Sequence, residues 1–208
     1  MFWAGNFVLG RAVRLEIPPI GLSFWRWAVA LLIVMPFAWP HLRRQWSLVF
    51  RSWKILLVFG ILGVSSFNTF VYVGLQSTTA TNAVLINSTM PVVIVALSSL
   101  LLRDRITRRQ AAGIALSLLG VLAIMARGDP AFLFQLDLTI GDLWILSAML
   151  CWALYSVLLK WRPAGLDSIG FLAATIIMGV AVLTPLYLWD VSRGSHMRTD
   201  LVSVASVL

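Results

Sequence analysis

Six long apolar runs govern what this chain can become: Ile20–Pro40, Ile55–Gln76, Ala80–Leu102, Ala111–Ala126, Gly141–Lys160 and Ser168–Trp189. A helix needs roughly 20 apolar residues to cross the hydrocarbon of a bilayer. The runs are continuous and lack the period-2 alternation that a lipid-facing barrel strand requires. They read as transmembrane helices. Ala111–Ala126 is short, and Arg109 and Gln110 extend it by snorkelling. Phe2–Val13 and Leu201–Leu208 read as spans cut by the two ends of the sequence. The expected fold class is an all-α polytopic membrane protein with six whole and two partial spans, numbered 1 to 8 along the chain.

Charge supports lipid as the solvent. Only 12% of the residues are charged, against about 25% in soluble domains. The net charge of +8 lies between the apolar runs rather than in a patch, so nucleic acid is excluded as a partner. Ten basic residues sit after spans 2, 4 and 6: Arg43, Arg44, Arg51, Lys54, Arg103, Arg105, Arg108, Arg109, Lys160 and Arg162. Positive charge is retained in the cytoplasm. These loops, and the N-terminus with them, are therefore expected there, in a cell inner membrane. Trp25, Trp27, Trp39, Trp46, Trp53, Trp161 and Trp189 lie near span ends, where an interfacial aromatic belt forms. Thr107-Arg108-Arg109-Gln110 reads as a capping box opening span 5. The single cysteine, Cys151, allows no internal disulfide.

The chain also matches itself. A shift of 149 brings Trp3 onto Trp152, Ala4 onto Ala153, Arg11 onto Lys160, Ile20-Gly21 onto Ile169-Gly170 and Pro36 onto Pro185. Span 1 falls on span 6 and span 2 on span 7, so each repeat holds five spans. Two copies of an odd-span unit face opposite ways, and many secondary transporters are inverted repeats with a substrate site at the repeat interface. The expected organisation is a first repeat over 1–126, an outer loop over 127–140 and the start of a second repeat over 141–208. This is an inverted repeat of five-helix units, a ten-span transporter fold of which the chain holds part.

Several motifs carry a family likeness. Trp3-Ala4-Gly5-Asn6-Phe7-Val8-Leu9-Gly10-Arg11, Arg26-Trp27, Asn87-Ser88-Thr89-Met90-Pro91 and Leu101-Leu102-Arg103-Asp104-Arg105 occur in order. Gly113, Gly120-Val121, and then Trp152-Ala153, Tyr155 and Lys160 follow. The series resembles the EamA-type transporters of the drug/metabolite transporter superfamily. Asp104 stands where that family more often has Glu. The resemblance implies ten spans, both ends in the cytoplasm, and export of small metabolites such as amino acids. Two repeats of this length would need about 298 residues, so spans 8 to 10 are almost wholly outside the chain. A membrane fragment without transport of its own is the alternative reading.

Transport requires polar groups that face a cavity. Span 3 offers Ser65, Asn68, Tyr72 and Gln76 at helical spacing. Span 4 offers Asn87 and Ser98, with Pro91 freeing a carbonyl one turn back. Span 1 adds Asn6, and span 6 adds Trp152 and Tyr155. Arg26 either meets a substrate carboxylate or snorkels outward. Arg11 reads as an interfacial anchor, Ser65 and Ser98 as packing residues. The candidate cavity set is Asn6, Arg26, Asn68, Tyr72, Asn87, Pro91, Trp152 and Tyr155. Interhelical hydrogen bonding is the competing role for the three asparagines. Gly113, Ser117 and Gly120 suggest a small-residue packing face on span 5, and Gly60 and Gly63 another on span 3. His41 and His196 fall on opposite sides and every acid falls at a span end or in a loop. No enzyme site, metal site, cofactor or proton-coupling group is therefore expected in spans 1–7. The expected partners are a small-molecule solute and the lipid bilayer, and a homodimer is an admissible assembly.

Overall fold

The computed structural model describes residues 7–8, 10–12, 17–103, 106–126 and 139–194. Asn6, the loop residues 127–138 and Leu201–Leu208 lie outside them. Five helices are long and apolar enough to cross a membrane: Pro19–Arg44, Trp53–Ser77, Ala80–Leu102, Ile140–Trp161 and Ser168–Ser192. They are spans 2, 3, 4, 6 and 7. Arg108–Ala126 is a further helix, span 5. At 1.5 Å rise per residue it reaches roughly 28 Å, close to the hydrocarbon thickness. The chain is an all-α, multi-pass membrane protein.

Local chemistry sets the helix ends. Pro19 opens span 2, where a missing N–H costs nothing. Thr79 caps span 4 by accepting from the Asn82 amide at 3.1 Å. Arg103 closes that span in the left-handed region with φ of 56°. The expected capping box of span 5 is present. Gln110 Oε1 accepts from the Thr107 amide at 2.9 Å, and Thr107 Oγ1 accepts from the Gln110 amide at 3.3 Å. Trp25, Trp39, Trp46, Trp53, Trp161 and Trp189 are exposed, as an interfacial belt requires.

Two antiparallel pairs organise the bundle. Span 2 runs against span 7: Phe24 stacks on Tyr187 at one end, and His41 meets Asp167 at the other. Span 3 runs against span 6, with Gly74 on Gly141, Phe67 on Trp152 and Gly63 on Tyr155. A π-helical turn over Gly60–Ser66 in the middle of span 3 joins the pairs. There the backbones of Gly60 and Gly179 meet without intervening side chains. A Cβ on Gly60 would stand 2.7 Å from the Gly179 nitrogen. Ser65 Oγ donates to the Gly179 carbonyl at 2.9 Å, so Ser65 ties helices together as its packing role requires.

The π turn also corrects the polar stripe expected on span 3. Ser65 turns to span 7, Tyr72 turns to spans 1 and 2, and Gln76 is exposed. A π turn closes i→i+5 hydrogen bonds, so the 3.6-residue phase does not carry from Ser65 to Tyr72, while Gln76, past the turn, stands exposed next to the end of the helix. Span 5 brings a second correction. A Cβ added at Gly113 or Gly120 would find no atom within 4 Å among the described residues, so its small-residue face packs on nothing described.

Candidate functional site

Arg26 lies seven residues into span 2, about 10 Å from its start at 1.5 Å per residue. Its guanidinium does not snorkel outward. It donates to the Tyr72 hydroxyl at 2.7 Å, and Tyr72 is only 2% exposed. Tyr72 belongs to a buried cluster with Phe7, Phe67, Val71, Leu75 and Met149. An arginine within a bilayer costs about 2.5–3.5 kcal/mol on insertion scales, and a hydrogen-bonded partner offsets part of that cost. Asn68 is half-buried one turn before Tyr72 on the same helix.

Span 4 is interrupted at a single residue whose backbone stays near-helical. One segment covers Ala80–Ser88 and the next Met90–Leu102, with Thr89 between them. Pro91 has no N–H for the carbonyl four residues back, that of Asn87. The Ser88 and Thr89 hydroxyls donate to the Leu85 and Ile86 carbonyls at 2.6 and 2.7 Å. Beside this break the Asn87 Oδ1 is buried and lacks a hydrogen-bond partner among the described residues. Its neighbours Ile86 and Met90 pack on the Tyr72 cluster. Pro91 itself is exposed, so it shapes the break rather than lining the interior.

Aromatic rings fill the seam between spans 3 and 6. Trp152 stacks on Tyr155 with centroids 5.3 Å apart and tilts against Phe67 at 4.9 Å. Tyr155 meets Phe59 edge-on at 5.4 Å. The structure thus gathers Arg26 and Tyr72 directly and packs Trp152 and the neighbours of Asn87 on the same cluster, whereas Tyr155, stacked on Trp152, packs on the separate cluster of Phe59 and Phe171.

Three polar contacts near the ends of the spans were not anticipated. Arg11 donates to the Leu75 and Gln76 carbonyls at 2.6 and 3.2 Å. It caps the C-terminus of span 3, where orphan carbonyls and the helix dipole favour a cation.

Asp142 sits at a span end, as read from sequence, yet is 5% exposed, so water does not surround it. Its carboxylate accepts from Thr78 Oγ1, from the Thr139 amide at 2.6 Å and from Asn82 Nδ2 at 3.5 Å. The spacing Thr139-x-x-Asp142 follows capping-box geometry and is the signal that could have located it. Asp142→Ala should lower stability by about 1.5–3 kcal/mol, the range for hydrogen bonds to a charged group. Thermal unfolding in detergent measures this, and an unchanged midpoint would contradict it.

At the basic end, Asp167 accepts from the Gly170 amide at 2.7 Å and pairs with His41 at 2.7 Å and Arg44 at 3.8 Å. The Gly170 amide, then His41, holds its carboxyl below the usual range. That contribution is present above the ordinary carboxylate pKa and is lost as pH falls through the lowered value.

Antiparallel apolar helices long enough to span a bilayer, with an arginine turned inward between two of them, mark a polytopic membrane protein. The chain belongs to the EamA-like transporter family, whose model matches residues 1–126 and 139–206. It is 30% identical over 161 residues to the uncharacterized transporter YyaM of Bacillus subtilis, covering 76% of this chain and 52% of that protein. It is 32% identical over 185 residues to an uncharacterized transporter of Archaeoglobus fulgidus, covering 86% and 62%. It is 26% identical over 209 residues to YetK, another uncharacterized transporter of B. subtilis, covering 98% and 62%. The chain thus spans between about half and three-fifths of the length of these relatives. No solved structure matches it.

Proposed function

We infer that the chain is part of a secondary transporter that moves small metabolites bearing a carboxylate, amino acids foremost, across the cell inner membrane. It works by alternating access between two inverted five-helix repeats, without a cofactor and without enzymatic chemistry. The observation that carries this reading is the Arg26–Tyr72 contact at 2.7 Å. It holds a permanent cation inside a span, against the buried cluster on which Ile86 and Met90, the neighbours of Asn87, also pack. The family match in two segments supports the division into repeats. So does the antiparallel run of spans 2 and 7, which the internal match pairs. Arg26 would receive the solute carboxylate once Tyr72 releases it, and Asn87 at the break would take a second polar group.

Flux tests the reading. Proteoliposomes holding the protein with its contiguous reading frame should exchange labelled amino acids by counterflow, and a panel without any exchanged solute would end the proposal. The 208-residue chain in the same assay separates it from the alternative, a membrane fragment without flux of its own. Its coverage of 52% to 62% of its relatives makes that alternative worth testing.

The orientation is a separate expectation: N-terminus and basic loops in the cytoplasm. Ser47→Cys and Thr107→Cys in a Cys151→Ala background should resist an impermeant thiol reagent applied to intact cells. Both positions are exposed on the structure, so ready labelling from outside would reverse the topology.

A further inference from the structure

A short helix, Trp46–Arg51, links spans 2 and 3 at the basic end. Between it, the two span ends and span 7 lies a cavity of about 460 Å³. Trp46, Phe50 and Trp53 form one wall, and Ala174, Ile177 and Met178 the other. The size is that of a small-molecule pocket, but the lining is aliphatic and aromatic throughout. A polar solute would lose its hydrogen bonds there without replacement.

The surface of the same segments has the opposite character. Arg43, Arg51 and Lys54 each adjoin a lining residue, Leu42, Phe50 and Trp53, and turn about 100° away from it around the helix. All three are exposed, and none makes an ion pair among the described residues. Lys54 Nζ stands 6.0 Å from the ring centroid of Trp53, which places a cation at the mouth. Arg44 is the basic residue of this group that pairs with an acid, Asp167.

An apolar slot with exposed cations on the same segments, beside exposed tryptophans at a span end, is complementary to an amphiphile with an anionic head. Basic pockets between transmembrane helices bind such headgroups. We propose that this cavity holds an anionic phospholipid, one acyl chain between the Trp46–Phe50–Trp53 wall and span 7, its phosphate on Arg43, Arg51 and Lys54. Because one wall comes from the linking helix Trp46–Arg51 and the start of span 3 and the other from span 7, the lipid bridges elements that the internal match assigns to different repeats.

Native mass spectrometry of the purified chain tests this, with phosphatidylglycerol, phosphatidylcholine or inorganic phosphate added. One phosphatidylglycerol per chain should be retained, at least about tenfold more tightly than phosphatidylcholine, given the gain per basic residue at an anionic surface. Arg43→Gln/Arg51→Gln/Lys54→Gln should erase the preference. Arg103→Gln/Arg108→Gln/Arg109→Gln, with the same loss of charge elsewhere at the basic end, should keep it. Ile177→Trp should fill the slot and weaken both lipids, with the unfolding midpoint showing that the variant still folds. Four outcomes would overturn the proposal: equal retention of the two lipids, equal losses in both triple variants, displacement by inorganic phosphate alone, or a dimer whose formation excludes lipid.

Discussion

Gly179→Leu should be among the most damaging single substitutions in the described structure, lowering stability by about 3 kcal/mol or more. Overpacking a core typically costs 1–3 kcal/mol, because side chains shift to absorb the new atoms. Here side chains cannot absorb them. A Cβ on Gly179 would collide with the Cβ of Val64 and stand 2.9 Å from the Gly60 carbonyl. Neither atom is the far end of a flexible side chain. Relief requires moving span 7 off the π turn, which stretches the hydrogen bond from Ser65 to the Gly179 carbonyl. In lipid the loss is felt fully, since helix association rests on close packing and interhelical hydrogen bonds. Gly120→Leu is the matched control, because no described atom lies within 4 Å of a Cβ there. Thermal unfolding in detergent, read by size-exclusion profile, should separate the two variants widely. Equal midpoints would remove the π turn from its place as the joint between the helix pairs.

How far the sequence disclosed this joint follows from what apolar letters encode. Span positions were legible because hydrophobic length is a bilayer requirement. Gly60 and Gly63 were legible as close-packing sites, but the π turn between them was not. An i→i+5 turn leaves no distinctive residue pattern in an apolar run, so a 3.6-residue period run through it puts Ser65 on the face of Tyr72. Asn87 was legible as a polar group inside an apolar run, but that Pro91 is exposed was not. Asp142 was recognised only as a span-end acid. Its burial depends on Thr78 and Asn82, brought in by the turn between spans 3 and 4. Arg11 was legible as a span-end cation, but its bonds to the Leu75 and Gln76 carbonyls depend on a helix that sequence alone does not bring beside it.

The sequence left Arg26 equally open, since its depth permitted both snorkelling and an inward turn, and the structure's choice makes it the sharpest test of function. In the protein with its contiguous reading frame, Arg26→Gln should reduce carboxylate-solute flux at least tenfold. Truncating one partner of a buried, hydrogen-bonded charge costs about 2–5 kcal/mol, and a factor of ten needs only about 1.4 kcal/mol. Arg26→Lys should recover part of the flux and no more, because an ammonium carries the charge without the planar fork that pairs with a carboxylate. Tyr72→Phe should have a smaller effect than Arg26→Gln. It removes the hydroxyl that occupies the guanidinium at 2.7 Å but leaves the ring packed in the Phe7, Phe67 and Met149 cluster. A structural role for Arg26 would also depress flux, so the discriminating readout is the solute. If the guanidinium binds the carboxylate, Arg26→Gln raises KM for the acid and leaves any residual flux of the matching decarboxylated amine unchanged. Equal losses for acid and amine, with a lowered unfolding midpoint, would show Arg26 to be a brace between spans 2 and 3 rather than the solute's anchor.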